Sequence, residues 1–185
     1  MSLVRIQASP PMEYVVLVDE KNTVLGQHPK DDVHTTHTPL HRGFSLFLFN
    51  KKHELLITQR AHTKKTFAGV WTNTVCGHPA PNEDPVDSAK RRMKDELGIS
   101  GVEVSVVSPY RYRFADKNGI IENEICPILV GVFDGNPNPV KSEVDGWKWM
   151  DWQNFLQDIK LRPDIYSPWS VEEAFILQQK GLVPQ

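Results

Sequence analysis

Residues 72–79, Thr72-Asn73-Thr74-Val75-Cys76-Gly77-His78-Pro79, place a thiol and an imidazole two positions apart, with a glycine between them. A polar segment follows, in which Asp84-Pro85 has the features of a helix start and Gly98 those of a helix stop. Aspartate is a good N-cap, proline suits the first helical position, and glycine commonly ends a helix. The sequence therefore predicts a crowded group of reactive side chains directly before a helix that ends at Gly98.

The size and charge of the chain limit the possible classes of protein. Its 185 residues correspond to one domain, and we expect a loose N-terminal arm over residues 1–12 and a single domain over residues 13–185. A net charge of −2 gives no overall attraction to nucleic acid or to an anionic membrane. The chain has no apolar run near the roughly 20 residues that cross a bilayer, and its two cysteines favour a reducing compartment. We therefore expect a cytoplasmic monomer, or a weakly associated protein, without nucleic-acid or membrane partners.

The apolar pattern and the turn signals predict a mixed set of strands with few helices. Residues 28–41 lack an apolar period and contain Pro39, so we expect a loop there. Strands are expected over residues 14–19, in a short partner ending at Gly26, over 43–50, 54–59, 102–107 and 110–114, in one long strand over 121–133, and over 147–150. Helices are expected from Pro85, from Asp151 to about Lys160, and from Ser167-Pro168 to near Gly181. This set predicts an α+β or α/β/α domain.

Glu122 and Glu124 stand two positions apart in an expected strand, so both point to the same face of the sheet. Two like charges on one face repel unless a cation or solvent lies between them. One interpretation is an exposed edge strand with solvated acids. The apolar run that follows from Ile125 makes an exposed strand less favourable, and a functional pair is the preferred interpretation.

Three histidines complete a possible metal site with these two glutamates. His34, His41 and His78 would add three nitrogen ligands to two oxygen ligands, a set that suits Zn²⁺ or Mn²⁺. The spacing alone is a weak signal, and a surface or hydrogen-bonded histidine is the ordinary interpretation of each one singly. For that reason His37 and His53 are expected at the surface.

Arg92 and Glu96 lie four positions apart and share a helix face. An exposed ion pair is the ordinary interpretation. Beside a glycine loop, however, the arginine can bind diphosphate oxygens while the carboxylate holds a Mg²⁺ that bridges them. Further cations that could complete a diphosphate pocket are Lys30, Arg60 and Lys64, although each singly is an ordinary solvated side chain.

Several segments together resemble the type 1 isopentenyl-diphosphate isomerases of the Nudix-fold superfamily. The Cys-Gly-His and Glu-x-Glu segments are the most specific of them. The resemblance is carried by residues 40–45, 71–79, 111–113, 122–127 and 166–169. It implies a Nudix-like α/β/α sandwich with a mixed sheet in a single domain. It also implies an early step of isoprenoid biosynthesis, in which isopentenyl and dimethylallyl diphosphate interconvert by protonation and deprotonation through a carbocation.

The same resemblance implies roles for individual residues. Cys76 and Glu124 would be the acid–base pair, Tyr112 would assist, and Trp169 would face the hydrocarbon. One metal would be held by His34, His41, His78, Glu122 and Glu124, and Glu96 would help to bind Mg²⁺ with the substrate diphosphate. The ordinary alternatives are a core aromatic for Trp169 and a small buried hydrophobic residue for Cys76.

The chain departs from the hydrolase signature of that superfamily at two positions. Gly77, Glu83, Arg91, Glu96 and Gly98 fit the signature. Arg92 and Asp95 replace two glutamates, which weakens a site that needs several Mg²⁺ ions to activate water. Hydrolysis is therefore in doubt, while diphosphate binding is not. A Nudix-type hydrolase and a metal-stabilised binding module remain the alternatives.

The turn at residues 117–119 sets an expected register between two strands. A three-residue loop there pairs Asp116 with Ile120, and counting back puts Tyr112 opposite Glu124. The phenol could then donate a hydrogen bond to the carboxylate.

Overall fold

The computed structural model describes residues 13–184 of the chain. The expected arm over residues 1–12 lies outside this range, and the domain boundary at residue 13 stays a prediction. Within the described range, no helix combines the length and the apolar character that crossing a membrane requires.

Twelve strands and four α-helices make up the described chain. The strands are β1 (Tyr14–Val18), β2 (Val24–Pro29), β3 (His41–Arg42), β4 (Phe44–Phe49), β5 (Glu54–Arg60), β6 (Trp71–Thr72), β7 (Val75–Gly77), β8 (Val104–Ser108), β9 (Arg111–Ala115), β10 (Ile121–Ile125), β11 (Ile128–Val132) and β12 (Val144–Asp151). The helices are α1 (Lys30–Val33), α2 (Pro85–Leu97), α3 (Trp152–Leu161) and α4 (Pro168–Lys180), with a 3₁₀ turn at Pro163–Ile165.

These strands form two mixed sheets. The smaller has the order β2-β1-β3-β10-β9, and the larger has the order β12-β5-β4-β11-β8, with β6 beside β5 and β7 beside β4. The β10–β3 and β11–β4 pairs are parallel, and the other pairs are antiparallel. The prediction of an α+β fold with mixed sheets is therefore confirmed.

The alternating side chains of β4 explain why helices cover both faces of the larger sheet. Phe44, Leu46 and Leu48 join one core cluster with the α2 residues Met93 and Leu97. Phe47 and Phe49 point the other way and pack in a second cluster with α3 and α4. Every residue of β4 is buried, which is expected for a central strand covered on both faces.

Helix α2 begins and ends where the sequence predicts. The Asp84 side chain accepts hydrogen bonds from the backbone N–H groups of Val86 and Asp87. Gly98 has a φ of 66°, a left-handed conformation that glycine adopts without steric cost. Ser167 also stands at the N-cap of α4, but its hydroxyl makes no capping bond and contacts Thr72 and Ser170 instead.

The prediction of one long strand over residues 121–133 is wrong. The chain leaves the smaller sheet after β10 and enters the larger sheet at β11, with Cys126 and Pro127 between them. Pro127 has no N–H group to continue a ladder, and the Cys126 N–H donates to the Tyr110 carbonyl.

Smaller differences concern the bounds of single elements, among them β8 and β12, which replace the strands expected over residues 102–107 and 147–150. Strand β2 continues to Pro29 beyond the expected end at Gly26, and one helical turn, α1, interrupts the expected loop over residues 28–41. The strands β3, β6 and β7 were not predicted. Each has only two or three residues, which is too short for an alternating apolar pattern to be recognised.

Candidate active site

Four separate parts of the fold bring the five expected metal ligands together. Strands β3 and β10 run side by side, and their register places His41 next to Glu124. Glu122 shares the face of Glu124 on β10, as the period of two predicts. His34 follows the single turn of α1, and His78 follows β7. Four of the five side chains are buried and His78 is partly buried, while His37 and His53 are exposed as expected.

The ligand atoms of these five side chains converge on one point. One such atom from each residue lies within 4.8 Å of all the others. His34 Nε2 is 2.9 Å from Glu122 Oε2, and His78 Nε2 is 2.9 Å from Glu124 Oε1. His41 Nε2 is 3.5 Å from the same Glu124 oxygen. The cluster therefore presents three nitrogens and two carboxylates to a common centre.

Unpaired polar atoms indicate that this cluster suits a divalent metal. Among the described residues, His34 Nε2, His41 Nε2 and Glu122 Oε2 are buried without a hydrogen bond of acceptable geometry, although the first and the last lie 2.9 Å apart. An unsatisfied buried polar group costs about 1–3 kcal/mol, so three of them in one place need an explanation. His41 Nδ1 lies 2.9 Å from the Pro39 carbonyl, which can only accept a hydrogen bond, so Nδ1 is the donor and carries the proton. The neutral ring therefore turns its unprotonated Nε2 toward the centre, as a metal ligand must.

The charges of the cluster also favour a cation. Burial alone would raise the pKa of Glu124, but the nearby His78 and His41 hold that pKa well below its usual range. Burial lowers the pKa of His78 to about 4, against the opposing effect of Glu124. Burial lowers the pKa of His41, but the nearby carboxylate of Glu124 favours the protonated ring, and the net effect is a raised pKa. At neutral pH the site thus holds a charged Glu124 and a neutral His78.

Acidification is expected to weaken metal binding to this site. Metal and protons compete for the same nitrogen atoms, and the raised pKa of His41 makes it take up a proton before His78 does. Calorimetric titration of the metal-free protein with Zn²⁺ or Mn²⁺ should show an affinity at least tenfold lower at about pH 6 than at about pH 8. The same affinity at both pH values would contradict the assignment of imidazole ligands.

Two residues that sequence reasoning missed hold the carboxylates in place. A Cβ atom built on Gly43 would lie only 1.8 Å from Glu124 Oε2, so the Glu124 side chain occupies the space that any larger residue would need. The Thr66 hydroxyl donates a hydrogen bond to Glu122 Oε1. The contact of Gly43 with Glu124 could have been suspected from the sequence, because a glycine directly follows His41-Arg42 in an expected strand. Thr66 lies in an irregular loop without such a signal.

Cys76 sits in a polar setting at the edge of the same region. Its Sγ donates a hydrogen bond to Asn73 Oδ1 over 3.0 Å and accepts one from Trp169 Nε1 over 3.3 Å. Ser45 Oγ is 3.6 Å from the sulfur. Burial, together with the charge of Glu173, raises the pKa of the thiol to about 12. Cys76 is therefore a protonated thiol at neutral pH, and its three polar contacts argue against a purely structural residue.

One cavity of about 300 Å³ brings most of the expected site residues together. Cys76 and Glu124 both line it, as do the aromatic residues Tyr112 and Trp169. The other expected residues on its wall are His34, His78, Glu122, Lys30, Arg60, Lys64 and Arg92. His41 and Glu96 lie behind this wall. A cavity shared by the thiol and the glutamate is the arrangement that acid–base chemistry on one small molecule requires.

The aromatic side chains form one side of this cavity. The Trp169 ring is stacked on Tyr112 with 5.6 Å between centroids and meets Phe67 edge-on at 4.9 Å. Tyr112 pairs with Glu124 across β9 and β10, which confirms the expected register. Within residues 13–184, however, the phenol makes no hydrogen bond to the carboxylate. A part for Tyr112 in the chemistry stays a prediction.

The cations on the cavity wall are held by acidic partners. Arg92 Nε donates to Glu96 Oε1 over 2.7 Å, and the guanidinium also lies 3.2 Å from Glu143. Lys64 pairs with the same Glu143, and Lys30 pairs with Glu13. Arg92 and Glu96 are both buried, so the interpretation as an exposed ion pair is wrong.

Arg60 differs from these cations because its partners are neutral. It donates to the backbone carbonyl of Thr66 and lies 5.7 Å from the centre of the Trp169 ring. No carboxylate among residues 13–184 makes a direct contact that would cancel its charge, which leaves it available to an anion in the cavity. Lys65, which sequence reasoning did not select, also lines the cavity.

Comparison with known proteins places this architecture in a family. The family model of the NUDIX domain matches residues 39–169. An isopentenyl-diphosphate Delta-isomerase of Saccharopolyspora erythraea is 42% identical over 174 residues, covering 94% of this chain and 90% of that protein. Another, of Corynebacterium efficiens, is 45% identical over 167 residues, covering 87% of this chain and 88% of that protein.

Solved structures show the same fold at low sequence identity. The Deinococcus radiodurans protein DR0079 has a TM-score of 0.72 at 18% identity and covers 88% of this chain and 97% of its own. A MutT protein from Methanosarcina mazei has a TM-score of 0.64 at 15% identity, covering 77% of this chain and 96% of its own. These two likenesses support the fold alone, whereas the sequence relatives extend over nearly the whole chain. The chain therefore belongs to the isopentenyl-diphosphate Delta-isomerase family and is built on a NUDIX domain.

Proposed function

We propose that this protein interconverts isopentenyl and dimethylallyl diphosphate, with the Cys76 thiol and the Glu124 carboxylate as the proton-transferring groups. The observation that carries the proposal is the cavity that both residues line, next to the His/Glu cluster. Membership of the isopentenyl-diphosphate Delta-isomerase family supports the same reaction.

The reaction needs two groups in different protonation states. A proton is added to one end of an alkene, which leaves a tertiary carbocation, and another proton is removed from the neighbouring allylic carbon. Cys76, with a pKa near 12, carries a proton at neutral pH. Glu124, with its pKa held low, is a charged acceptor. This pair can therefore donate and accept within a single turnover.

The five ligands fit one Zn²⁺ or Mn²⁺ ion. Such an ion, when bound, would fix the orientation of Glu124 and tune its affinity for a proton. The buried, unpaired ligand atoms support this assignment, and the choice between the two metals rests on the ligand set alone.

The aromatic side of the cavity suits a transient positive charge. Trp169 and Tyr112 present stacked π systems to the space beside Cys76. A cation held over such a face gains up to about 2 kcal/mol when water is excluded.

The basic wall suits the diphosphate group. Arg60, Lys64 and Arg92 would bind its oxygens together with Lys30, and Mg²⁺ would reduce the repulsion between the diphosphate and Glu143. Glu96, which pairs with Arg92 and does not line the cavity, stays a predicted ligand of that Mg²⁺ and would have to release the guanidinium to bind it. The protein would act in the cytoplasm, because its two cysteines favour a reducing compartment, and we propose that it does so as a monomer.

Incubation with isopentenyl diphosphate, Mg²⁺ and Zn²⁺ or Mn²⁺ in D₂O tests this function directly. The expected product is dimethylallyl diphosphate that carries deuterium, seen by NMR, with no release of phosphate or pyrophosphate. Phosphate release without deuterium incorporation would identify a hydrolase and overturn the proposal. Metal binding without either reaction would identify a binding module.

A further inference from the structure

Glu143 is an acidic residue on the wall of the active-site cavity that sequence reasoning did not select. It stands directly before β12, and both of its backbone groups are fixed. Its N–H donates to the Val140 carbonyl, and its own carbonyl accepts from the Ala61 N–H. Its side chain is 26% exposed. The fold therefore holds this carboxylate in the part of the cavity that the proposed function assigns to the diphosphate.

One oxygen of Glu143 contacts two of the cations that would bind a diphosphate. Glu143 Oε2 accepts a hydrogen bond from Lys64 Nζ and another from Arg92 Nη2, the latter over 3.2 Å. Carboxylate and phosphate oxygens accept the same charge-assisted hydrogen bonds from ammonium and guanidinium groups. In this structure the carboxylate thus makes the contacts that a diphosphate oxygen would make, so a diphosphate has to displace it.

Acidic partners nearly cancel the positive charge of this part of the cavity. Its four basic side chains are Lys30, Arg60, Lys64 and Arg92. Three acids are paired with them, namely Glu13, Glu96 and Glu143. Four positive charges less three negative charges leave a formal charge of +1, and Lys65 and Asp31 on the same wall add one charge of each sign. A single phosphate group already carries about −1.5 to −2 at neutral pH, so a bare diphosphate exceeds this surplus.

The charge on Glu143 therefore opposes a bare diphosphate. Burial alone would raise the pKa of Glu143, but the hydrogen bond and the charge of Lys64 lower it, and the group is a carboxylate at neutral pH. Like charges brought together at a binding site disfavour the complex strongly. A divalent cation on the diphosphate reverses this interaction, because Mg²⁺ binds carboxylate and phosphate oxygens together. Once displaced from Lys64 and Arg92, Glu143 would then face a cation instead of an anion.

We propose that Glu143 holds the place of the diphosphate on Lys64 and Arg92 and thereby restricts the cavity to diphosphates complexed with a divalent cation. A bare diphosphate displaces the carboxylate and then lies beside it without compensation. A complexed diphosphate brings the cation for which the carboxylate is a ligand. The inference deepens the proposed function and rests on it for the identity of the anion. Its test uses inorganic pyrophosphate, which needs no isomerisation.

Calorimetric titration with inorganic pyrophosphate measures this restriction on the full chain, loaded with one equivalent of Zn²⁺. The wild type should bind pyrophosphate about tenfold more tightly, or better, with Mg²⁺ than without it. Without Mg²⁺, E143Q should bind about tenfold more tightly than the wild type, because two cations gain free donors and a like charge is lost. Mg²⁺ should then improve the affinity of E143Q less than about threefold. Unchanged affinity of E143Q without Mg²⁺, or a Mg²⁺ effect as large as in the wild type, would overturn the inference.

E13Q is the matched control for the loss of one negative charge. Glu13 is paired with Lys30 and lies 3.5 Å from Arg92, but it stands outside the cavity wall. Without Mg²⁺ its replacement should change the affinity for pyrophosphate less than about threefold. An equal gain in E13Q and E143Q would assign the effect to net charge and remove the special part of Glu143.

E143D separates the charge from the shape of the side chain. It keeps the carboxylate and should keep most of the dependence on Mg²⁺, and thermal unfolding shows that each variant is folded when titrated. An E143D protein that binds bare pyrophosphate as tightly as E143Q does would contradict the explanation by charge. Pyrophosphate binding as expected, in a protein that fails to isomerise isopentenyl diphosphate, would defeat the proposed function and leave this inference standing.

Discussion

Cys76→Ala is expected to lower kcat by about 10³-fold or more while the protein keeps its metal. A positioned acid or base contributes about 10²–10⁴ in rate, and alanine cannot move a proton at all. The sulfur is absent from the five-residue ligand cluster, so its removal leaves the donor set for the ion intact. Rates of deuterium incorporation, with metal content by mass spectrometry, check both parts of this expectation.

Cys126→Ala is the matched control for this variant. Cys126 is also a buried thiol and also contacts Ser45, but it does not line the cavity. Its replacement should change kcat far less than that of Cys76. Equal losses in the two variants would show that the effect comes from packing around Ser45 and would remove Cys76 as the acid or base.

Gly43→Ala is expected to disable the metal site through a single methyl group. A Cβ atom 1.8 Å from Glu124 Oε2 cannot coexist with the present side chain, so Glu124 must leave its place beside His41 and His78. Disturbing the support of a metal ligand typically costs 10–100-fold in metal affinity or activity. Since Glu124 is also the proposed proton acceptor, we expect at least a hundredfold loss in kcat with a weaker affinity for Zn²⁺ or Mn²⁺.

Gly146→Ala separates this effect from the general cost of adding a methyl group. Gly146 lies in β12, and the closest atom to its added Cβ would be the flexible Gln59 side chain at 3.4 Å. This variant should retain metal and activity, and thermal unfolding of both variants shows whether either has lost its fold. A Gly43→Ala protein with normal metal content and kcat would mean that Glu124 is not needed in its observed position.

The features that sequence predicted are those carried by local chemistry. The caps at Asp84 and Gly98 fixed the ends of α2, since capping depends on neighbouring residues. The turn at residues 117–119 fixed the pairing of Tyr112 with Glu124, because a hairpin loop sets the register of its strands. The resemblance to a known family, rather than any spacing, selected the five ligands from seven histidines and many acids.

The features that sequence missed arise between distant elements. Ile125 to Phe133 is apolar throughout, so the pattern gave no sign that Cys126-Pro127 separates two sheets. Ser45 contacts Cys76 only because β4 and β7 pair, and Gly43 matters only because Glu124 lies against it. Arg92 was expected to be exposed or bound to a ligand, and its burial beside Glu96 depends on how α2 docks on the sheet.

The change of sheet at Cys126-Pro127 has a consequence for the dependence of this protein on metal supply. Glu122, Glu124 and His41 stand on the smaller sheet, whereas His78 follows a strand of the larger one. An ion shared by these residues would cross-link the two layers, and its binding free energy would add to the free energy of folding. A cell short of this metal would therefore lose folded enzyme as well as turnover, and its isoprenoid output would fall more steeply than ion occupancy alone implies.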